Sequence, residues 1–299
     1  MPGVRNAVDR PRPSAHAAGS RNHTGRIGGE TVSSPQNGHV AIVTGANHGI
    51  GAAIARGLAR TGCAVLCAYW RVHDPAGHGL PDEYRRSRAR DADSVVSAIR
   101  QAGGRAVAVE QDLRVPEAAG LLFDAAEEAF GPVDILINNA TGWVADTFTP
   151  ASTDRHGRAL QPVTAASWSQ QFTVDAMAPA LLIGEFARRH AARGARWGRI
   201  VGLTSGSSGG FPEEVSYGAA KAAQENYTMS AAAELAPFGI TANMVHPPVT
   251  DTGWVTDPVR QYVADSGTHL ATPEQVAEVI CHLASDAAAL ISGNRIHLR

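Results

Sequence analysis

The amino-acid sequence predicts an α/β fold, a doubly wound parallel sheet of about seven strands with helices on both faces. Three observations carry this. From residue 38 onward, short apolar runs alternate with segments of helical periodicity, the βαβα rhythm of such sheets. Several runs are apolar throughout rather than at every second residue, as strands covered on both faces require. The first run leads into a glycine-rich loop that opens the first helical segment, a strand–loop–helix order suited to phosphate binding.

The strands are expected at residues 39–44 (HVAIVT), 64–68 (AVLCA), 106–109, 133–138 (VDILIN), 199–204 (RIVGLT), 241–246 and 295–298. Helices are expected at 51–60, 91–101, 116–130, 166–190, 216–236 and 273–283. Pro116 and Pro273 stand where first-turn prolines belong, and Thr272 is a candidate N-cap with Gln275 three residues on. Two stretches interrupt the rhythm: 73–90, with the cluster Arg85, Arg86, Arg88 and Arg90, and 142–163, polar and proline-containing. Both follow strands at their C-terminal ends, where ligands bind in open α/β sheets. Each reads as a substrate lid or a solvated loop, with the second favoured as the lid. Residues 1–37 hold Gly, Pro, Ser and five arginines (5, 10, 12, 21 and 26) with almost no apolar residues. That is too little apolar surface to offset ordering entropy, so a disordered tail is expected, followed by a single domain over 38–299. The tail has no apolar core of the kind a secretory signal needs.

With 299 residues, 44% hydrophobic, the chain has ample length for a core. Its formal net charge of −2 creates no field that would recruit nucleic acid or an anionic membrane. No apolar run approaches the roughly 20 residues of a membrane span. Three cysteines, Cys63, Cys67 and Cys281, show no metal spacing and read as reduced thiols of a cytoplasmic protein, with no metal expected. One bias is sharper: Lys221 is the only lysine among 26 Lys and Arg. An ammonium is compact and exchanges a proton, whereas guanidinium stays charged and planar.

The first strand runs into Thr44-Gly45-Ala46-Asn47-His48-Gly49-Ile50-Gly51. Glycines admit a pyrophosphate to the backbone, and the helix N-terminus offers it free N–H groups. The second strand ends Tyr69-Trp70-Arg71 with no carboxylate. An arginine there suits a 2′-phosphate, with His48 assisting, so NADP(H) is favoured over NAD(H). Tyr217 and Lys221 stand four residues apart on one helix face. A nearby ammonium stabilises tyrosinate and lowers a phenol pKa that is otherwise about 10. Twelve residues upstream, Ser205 follows a strand and is placed to hydrogen-bond a substrate carbonyl oxygen.

Over roughly residues 38–299 the chain resembles the short-chain dehydrogenase/reductase family, whose fold is Rossmann-like. The matching pieces are Thr44–Gly51, Asp112-Leu113 after the third strand, Asn138-Asn139-Ala140 after the fourth, Ser205, Tyr217-x-x-x-Lys221, and Pro247 to Thr252 after the sixth. The resemblance implies that Tyr217 is the general acid, that Ser205 positions the carbonyl oxygen, and that Lys221 tunes Tyr217 and holds the nicotinamide ribose. It further implies that Asp112 contacts adenine, that Leu113, Asn139 and Ala140 line the cofactor, and that Thr250 and Thr252 lie near the carboxamide and phosphates. Homodimers or homotetramers are implied, packed through the long Ala-rich helices. The chain departs from the family pattern at Thr141, at Pro248 and at Asp175, which aligns with the family's catalytic Asn. An ionised Asp175 near Lys221 would pair with it and weaken its pull on Tyr217; a neutral or water-bridged one would serve a proton relay. Thr204 and Ser207 are substitutes for Ser205.

The expected activity is an NADP(H)-dependent oxidoreductase passing hydride between nicotinamide and a carbonyl or alcohol carbon. Asp175 motivates an alternative, a lyase, epimerase or cyclase on the same fold. A non-catalytic dinucleotide sensor is a third reading. The substrate is expected to be a small apolar or aromatic-containing molecule, bound among segments 141–165, 206–215 and 253–271 with Trp143, Phe211 and Trp254.

Overall fold

A computed structural model of the chain describes residues 38–74, 80–205 and 210–299. The expected tail over 1–37 and Ser207 lie outside the described residues. The first half runs β1 (Val40–Thr44), α1 (Gly49–Arg60), β2 (Ala64–Tyr69), α2 (Asp82–Arg88), α3 (Asp93–Gln101), β3 (Arg105–Glu110), α4 (Ala118–Phe130) and β4 (Ile135–Asn138). Two short strands follow, β5 (Asp146–Thr147) and β6 (Gln161–Pro162), then α5 (Ala165–Phe172), α6 (Ala178–Ala192) and β7 (Gly198–Leu203). The chain continues through α7 (Val215–Glu234), β8 (Ile240–His246), α8 (Asp257–Ser266) and α9 (Pro273–Leu283) to β9 (Arg295–His297).

Seven of these strands form one parallel sheet in the order β3-β2-β1-β4-β7-β8-β9. The order reverses between β1 and β4, the switch point where strand ends diverge and a crevice opens. The apolar runs are explained by where alternate residues go. Ala41, Val43, Val65, Cys67, Ile135, Ile137 and Val201 pack on one face under α1, α3 and α9, against Ile54, Leu58, Ile99 and Ile280. Val40, Ile42, Leu66, Leu136 and Ile200 pack on the other under α4 and α6, against Leu122, Phe123, Leu182 and Phe186. Truncating a fully buried aliphatic such as Leu136 to Ala therefore costs about 2–5 kcal/mol.

The structure differs from the sequence reading in several places: α8 forms where no helix is expected, and Pro116 precedes the Glu117 N-cap of α4 rather than standing in its first turn. The helix expected over 166–190 is two helices joined by a π-helical turn, Thr173–Met177. Pro179, at the start of α6, supplies the physical reason. It has no N–H to donate to the carbonyl of Asp175 four residues back, and its ring crowds that carbonyl, so the turn widens there. The stretch 73–90 carries α2 rather than bare loop, and 142–163 carries the β5–β6 pair. Among the described residues no helix is long and apolar enough to cross a membrane. The capping box at Thr272 and Gln275 forms, with Thr272 Oγ1 accepting from Gln275 N at 3.3 Å.

Candidate active site

A cleft of about 920 Å³ runs over the C-terminal ends of β1, β2, β4, β7 and β8. Its floor is the glycine loop. A Cβ on Gly51 would overlap the Gly45 carbonyl oxygen and sit 2.5 Å from Asn139 Nδ2, so only glycine fits there. Gly49 has φ +54°, and a Cβ on it would meet the Thr252 methyl at 2.9 Å. The loop after β8 thus closes onto the glycine loop from above. At the start of α1, His48 makes no side-chain cap and the first turn holds no acidic residue. The N–H groups and dipole of that turn are therefore left for an anion. Asn139 lines the cleft and is also a strut: its Nδ2 donates to the carbonyls of Thr44 (2.9 Å) and Gly45 (3.2 Å). Thr44 Oγ1 accepts from the Asn139 and Ala140 backbones at 3.0 and 3.1 Å, which locks β1 to β4 at the switch point.

At one end, beyond β2 and β3, Asp112, Leu113 and Arg114 line the cleft together with Tyr69 and Trp70. Asp112 is held by Arg114 (Nη2–Oδ2 2.7 Å), which keeps its carboxyl below the usual range. Arg71, expected here, is not among the lining residues. Its guanidinium forms a two-pronged bond to Glu110 at the end of the neighbouring strand, at 2.9 and 2.7 Å. The strand-end arginine is thereby drawn to the sheet edge rather than to the cleft. A different cation stands inside: Arg88 of α2, 8% exposed, paired with Asp74 at 3.0 Å and lying over the Tyr84 ring. His48 meets the Tyr84 ring edge-on at 5.7 Å. Burial, and then the Arg88 charge, lower the His48 pKa to about 4, so it is neutral at pH 7.

Midway along the cleft stand Ser205, Tyr217 and Lys221. Ser205 follows β7 and hydrogen-bonds the Tyr217 side chain. Lys221, one turn on along α7, is buried, with its Nζ 5.8 Å from the centre of the Tyr217 ring. It pairs with Asp175 Oδ1 at 3.0 Å and donates to Gln224 Oε1 at 3.0 Å. Asp175 lies in the π turn, fully buried and off the cleft wall; its Oδ2 accepts from Gly142 N at 2.7 Å and Gln171 Nε2 at 2.6 Å. Burial foremost, and then the charges of Asp175 and Glu214, push the Tyr217 phenol above its ordinary range, while the Ser205 bond pulls the other way. The start of α7 is fixed from a distance. Asp146 of β5, buried, accepts from Ser216 N (2.8 Å), Ser216 Oγ (2.5 Å) and Ser167 Oγ (2.9 Å).

The far end is aromatic. Trp143, Phe211, Trp254 and Tyr262 line it, with the Arg158 guanidinium 5.3 Å from the centre of Trp143 and 5.6 Å from that of Trp254. Arg158 also bonds Asp154 (2.5 Å) and Glu214 (2.8 Å), and burial raises the Glu214 pKa. Pro247, Pro248, Thr250 and Thr252 complete the wall, as does Thr141. The sequence reading names Trp143, Phe211 and Trp254 in this region and expects segments 141–165 and 206–215, which hold Arg158 and Glu214, without singling out those two or Tyr84. Arg88 was noted there only as one of a charged cluster.

Comparison with known proteins adds an independent line. A family profile described as enoyl-(acyl carrier protein) reductase matches residues 84–298. Cis-4-hydroxycyclohexanecarboxylate dehydrogenase of Sinomonas cyclohexanicum is 36% identical over 264 residues, 85% of this chain and 92% of that protein. Versicolorin reductase of Emericella nidulans is 31% identical over 284 residues, 87% of this chain and 94% of its own length. Among solved structures, the angucycline C-6 ketoreductase LanV with bound NADP is similar at TM-score 0.72 and 28% identity, over 89% of this chain and 96% of that one.

Proposed function

The chain belongs to the short-chain dehydrogenase/reductase family as an NAD(P)-dependent short-chain oxidoreductase, and from that premise we propose that it is an NADP(H)-dependent reductase of ring-bearing ketones, working through Ser205, Tyr217 and Lys221. The observation that carries this reading is the convergence of these three side chains on the cleft whose floor is the glycine cradle. The cradle fits a dinucleotide. Gly45, Gly49 and Gly51 leave no room for side chains, and the first turn of α1 carries neither a side-chain cap nor an acid to compete with phosphate.

When bound, the reduced nicotinamide supplies hydride to the carbonyl carbon. Ser205 and Tyr217 hold the carbonyl oxygen, and Tyr217 Oη gives it a proton as charge develops there. Lys221, held by Asp175 and Gln224, offers its remaining N–H to the ribose hydroxyls. The 2′-phosphate preference rests on the absence of a carboxylate at the end of β2, on Arg88 and Arg114 in the cleft, and on the NADP bound by similar structures. Arg71 is not part of it, being engaged by Glu110. The wall of Trp143, Phe211, Trp254 and Tyr262 supports a ring-bearing substrate, and the name of one relative above carries a cyclohexane ring. Asp175, the residue that motivated a non-redox reaction, is spent on Lys221 and does not line the cleft. Trp168, Leu181 and Tyr227, exposed on α5, α6 and α7, support a homo-oligomer; sedimentation as a monomer at micromolar concentration would refute that part.

Calorimetric titration with NADPH and NADH tests the cofactor assignment. Binding of NADPH at least tenfold tighter than NADH is expected, and Arg71→Ala should leave the NADPH affinity within about twofold. Equal affinities, or a large loss in Arg71→Ala, would overturn it.

A further inference from the structure

The pairing of Lys221 with Asp175 has a consequence for proton transfer, which rests on the Ser205–Tyr217–Lys221 reading. A lone ammonium near a phenol favours tyrosinate. Here the ammonium meets a carboxylate at 3.0 Å, and at a third point nearby the two opposite charges largely cancel. The carboxylate is itself fixed from three sides, by Lys221, by the Gly142 N–H and by the Gln171 amide, in a turn that Pro179 holds wide. The pair is therefore a built part of the site.

The other groups facing Tyr217 do not replace the missing positive field. Glu214, before α7, is a carboxylate whose neighbour Arg158 is shared with Asp154. Tyr84 of α2 carries the Arg88 guanidinium over its ring, but that charge is paired with Asp74 at 3.0 Å, and Ser205 contributes one hydrogen bond. Phe211 packs its ring 5.7 Å from that of Tyr217 and helps exclude water.

We propose that Asp175 is a positioning residue that neutralises the chain's only lysine at Tyr217, so that Tyr217 serves as a phenol proton donor from neutral into strongly alkaline solution. In the reducing direction, hydride from the reduced dinucleotide forms the new C–H bond, the carbonyl π pair moves to oxygen, and that oxygen takes the Tyr217 proton. The tyrosinate left behind regains a proton from solvent. One ketone, one reduced dinucleotide and one proton thus give one alcohol and one oxidised dinucleotide. Alcohol oxidation is the reverse and must start from tyrosinate, so its rate climbs with pH until Tyr217 ionises.

The test is the near-ultraviolet tyrosinate absorbance of the wild-type chain minus that of Tyr217→Phe, titrated without cofactor. The difference should show no tyrosinate at position 217 below about pH 10, the ordinary phenol value. Ionisation of Tyr217 near neutrality would overturn the proposal, and this arm needs no change at Asp175. In Asp175→Asn the transition should fall by at least about one pH unit. The alkaline limb of kcat/KM for alcohol oxidation should move with it, and the reduction plateau should shorten by the same amount. A folded Asp175→Asn with both titration and pH profile unmoved would also overturn it. Full turnover by Tyr217→Phe would instead remove the Ser205–Tyr217–Lys221 reading beneath it, so the two failures are distinguishable.

Discussion

Asp146 links β5 to the start of α7, which carries Tyr217 and Lys221, and its removal is a sharp test of how the site is held. Its carboxylate accepts three hydrogen bonds, two from Ser216 and one from Ser167. One donor is a free first-turn N–H of α7, whose own N-cap residue, Glu214, makes no side-chain cap. Each bond to a charged acceptor contributes about 1.5–3 kcal/mol, and bonds sharing one acceptor are not additive. Asp146→Ala leaves a helix-end N–H and the Ser216 hydroxyl without their acceptor, and the Ser167 hydroxyl with only the Thr164 carbonyl at 3.2 Å, which should cost about 3–5 kcal/mol of a total near 5–15. With a urea slope of about 3 kcal/mol/M, the unfolding midpoint should fall by roughly 1–1.7 M. Asp146→Asn keeps one carbonyl acceptor, and the hydroxyls can reverse their roles, so its cost should be about 1–2 kcal/mol. Urea unfolding followed by circular dichroism measures both. Because Ser216 precedes Tyr217, the Ala variant should also lose turnover while keeping dinucleotide affinity. An Asp146→Ala protein within about 1 kcal/mol of wild type, with normal turnover, would refute the claim that this carboxylate fixes the start of α7.

Two further predictions use the cofactor end. Gly51→Ala drives a Cβ into the Gly45 carbonyl and Asn139; dinucleotide affinity should fall at least about a hundredfold, and an affinity within threefold of wild type would show that the loop is not the cradle described. For His48, the folded pKa of about 4 lies below the unfolded 6.5, so the unfolded chain binds the proton more tightly. The stability this gives is fully present above about pH 6.5 and lost as pH falls towards 4. The loss is roughly 2–3 kcal/mol. His48→Gln should remove this part of the acid sensitivity in urea titrations between pH 7 and 4, and identical pH dependence in the two proteins would contradict it.

The sheet was legible because the hydrophobic pattern and the burial agree. Residues 40–43, 64–68 and 135–137 are apolar at every position, and each strand divides its side chains between the two cores. The glycine loop, the Ser205 position and the Tyr217–Lys221 spacing were legible for a similar reason, since loop and helix geometry are local. The residues that escaped depend on register and on distant chain. Arg71 leaves the cleft because the parallel pairing of Tyr69 with Glu110 puts a carboxylate beside it. That follows from the β2–β3 register, which composition does not reveal. Arg158 meets Glu214 across 56 residues, and Asp146 meets Ser216 across 70. The π turn did have a local sign in Pro179, but the small, apolar sequence around it kept an unbroken helical period.

In the proposed reaction, Tyr217 is the proton donor of an NADP(H)-dependent ketone reduction. That role is tested most directly by offering wild type and Tyr217→Phe a panel of ring-bearing ketones, and following NADPH loss and alcohol formation together. Wild type should consume NADPH one-for-one with alcohol formed, and Tyr217→Phe should bind NADPH normally while turnover drops by about 10²–10⁴. Equal turnover by the two proteins, or product formed without NADPH consumption, would contradict it.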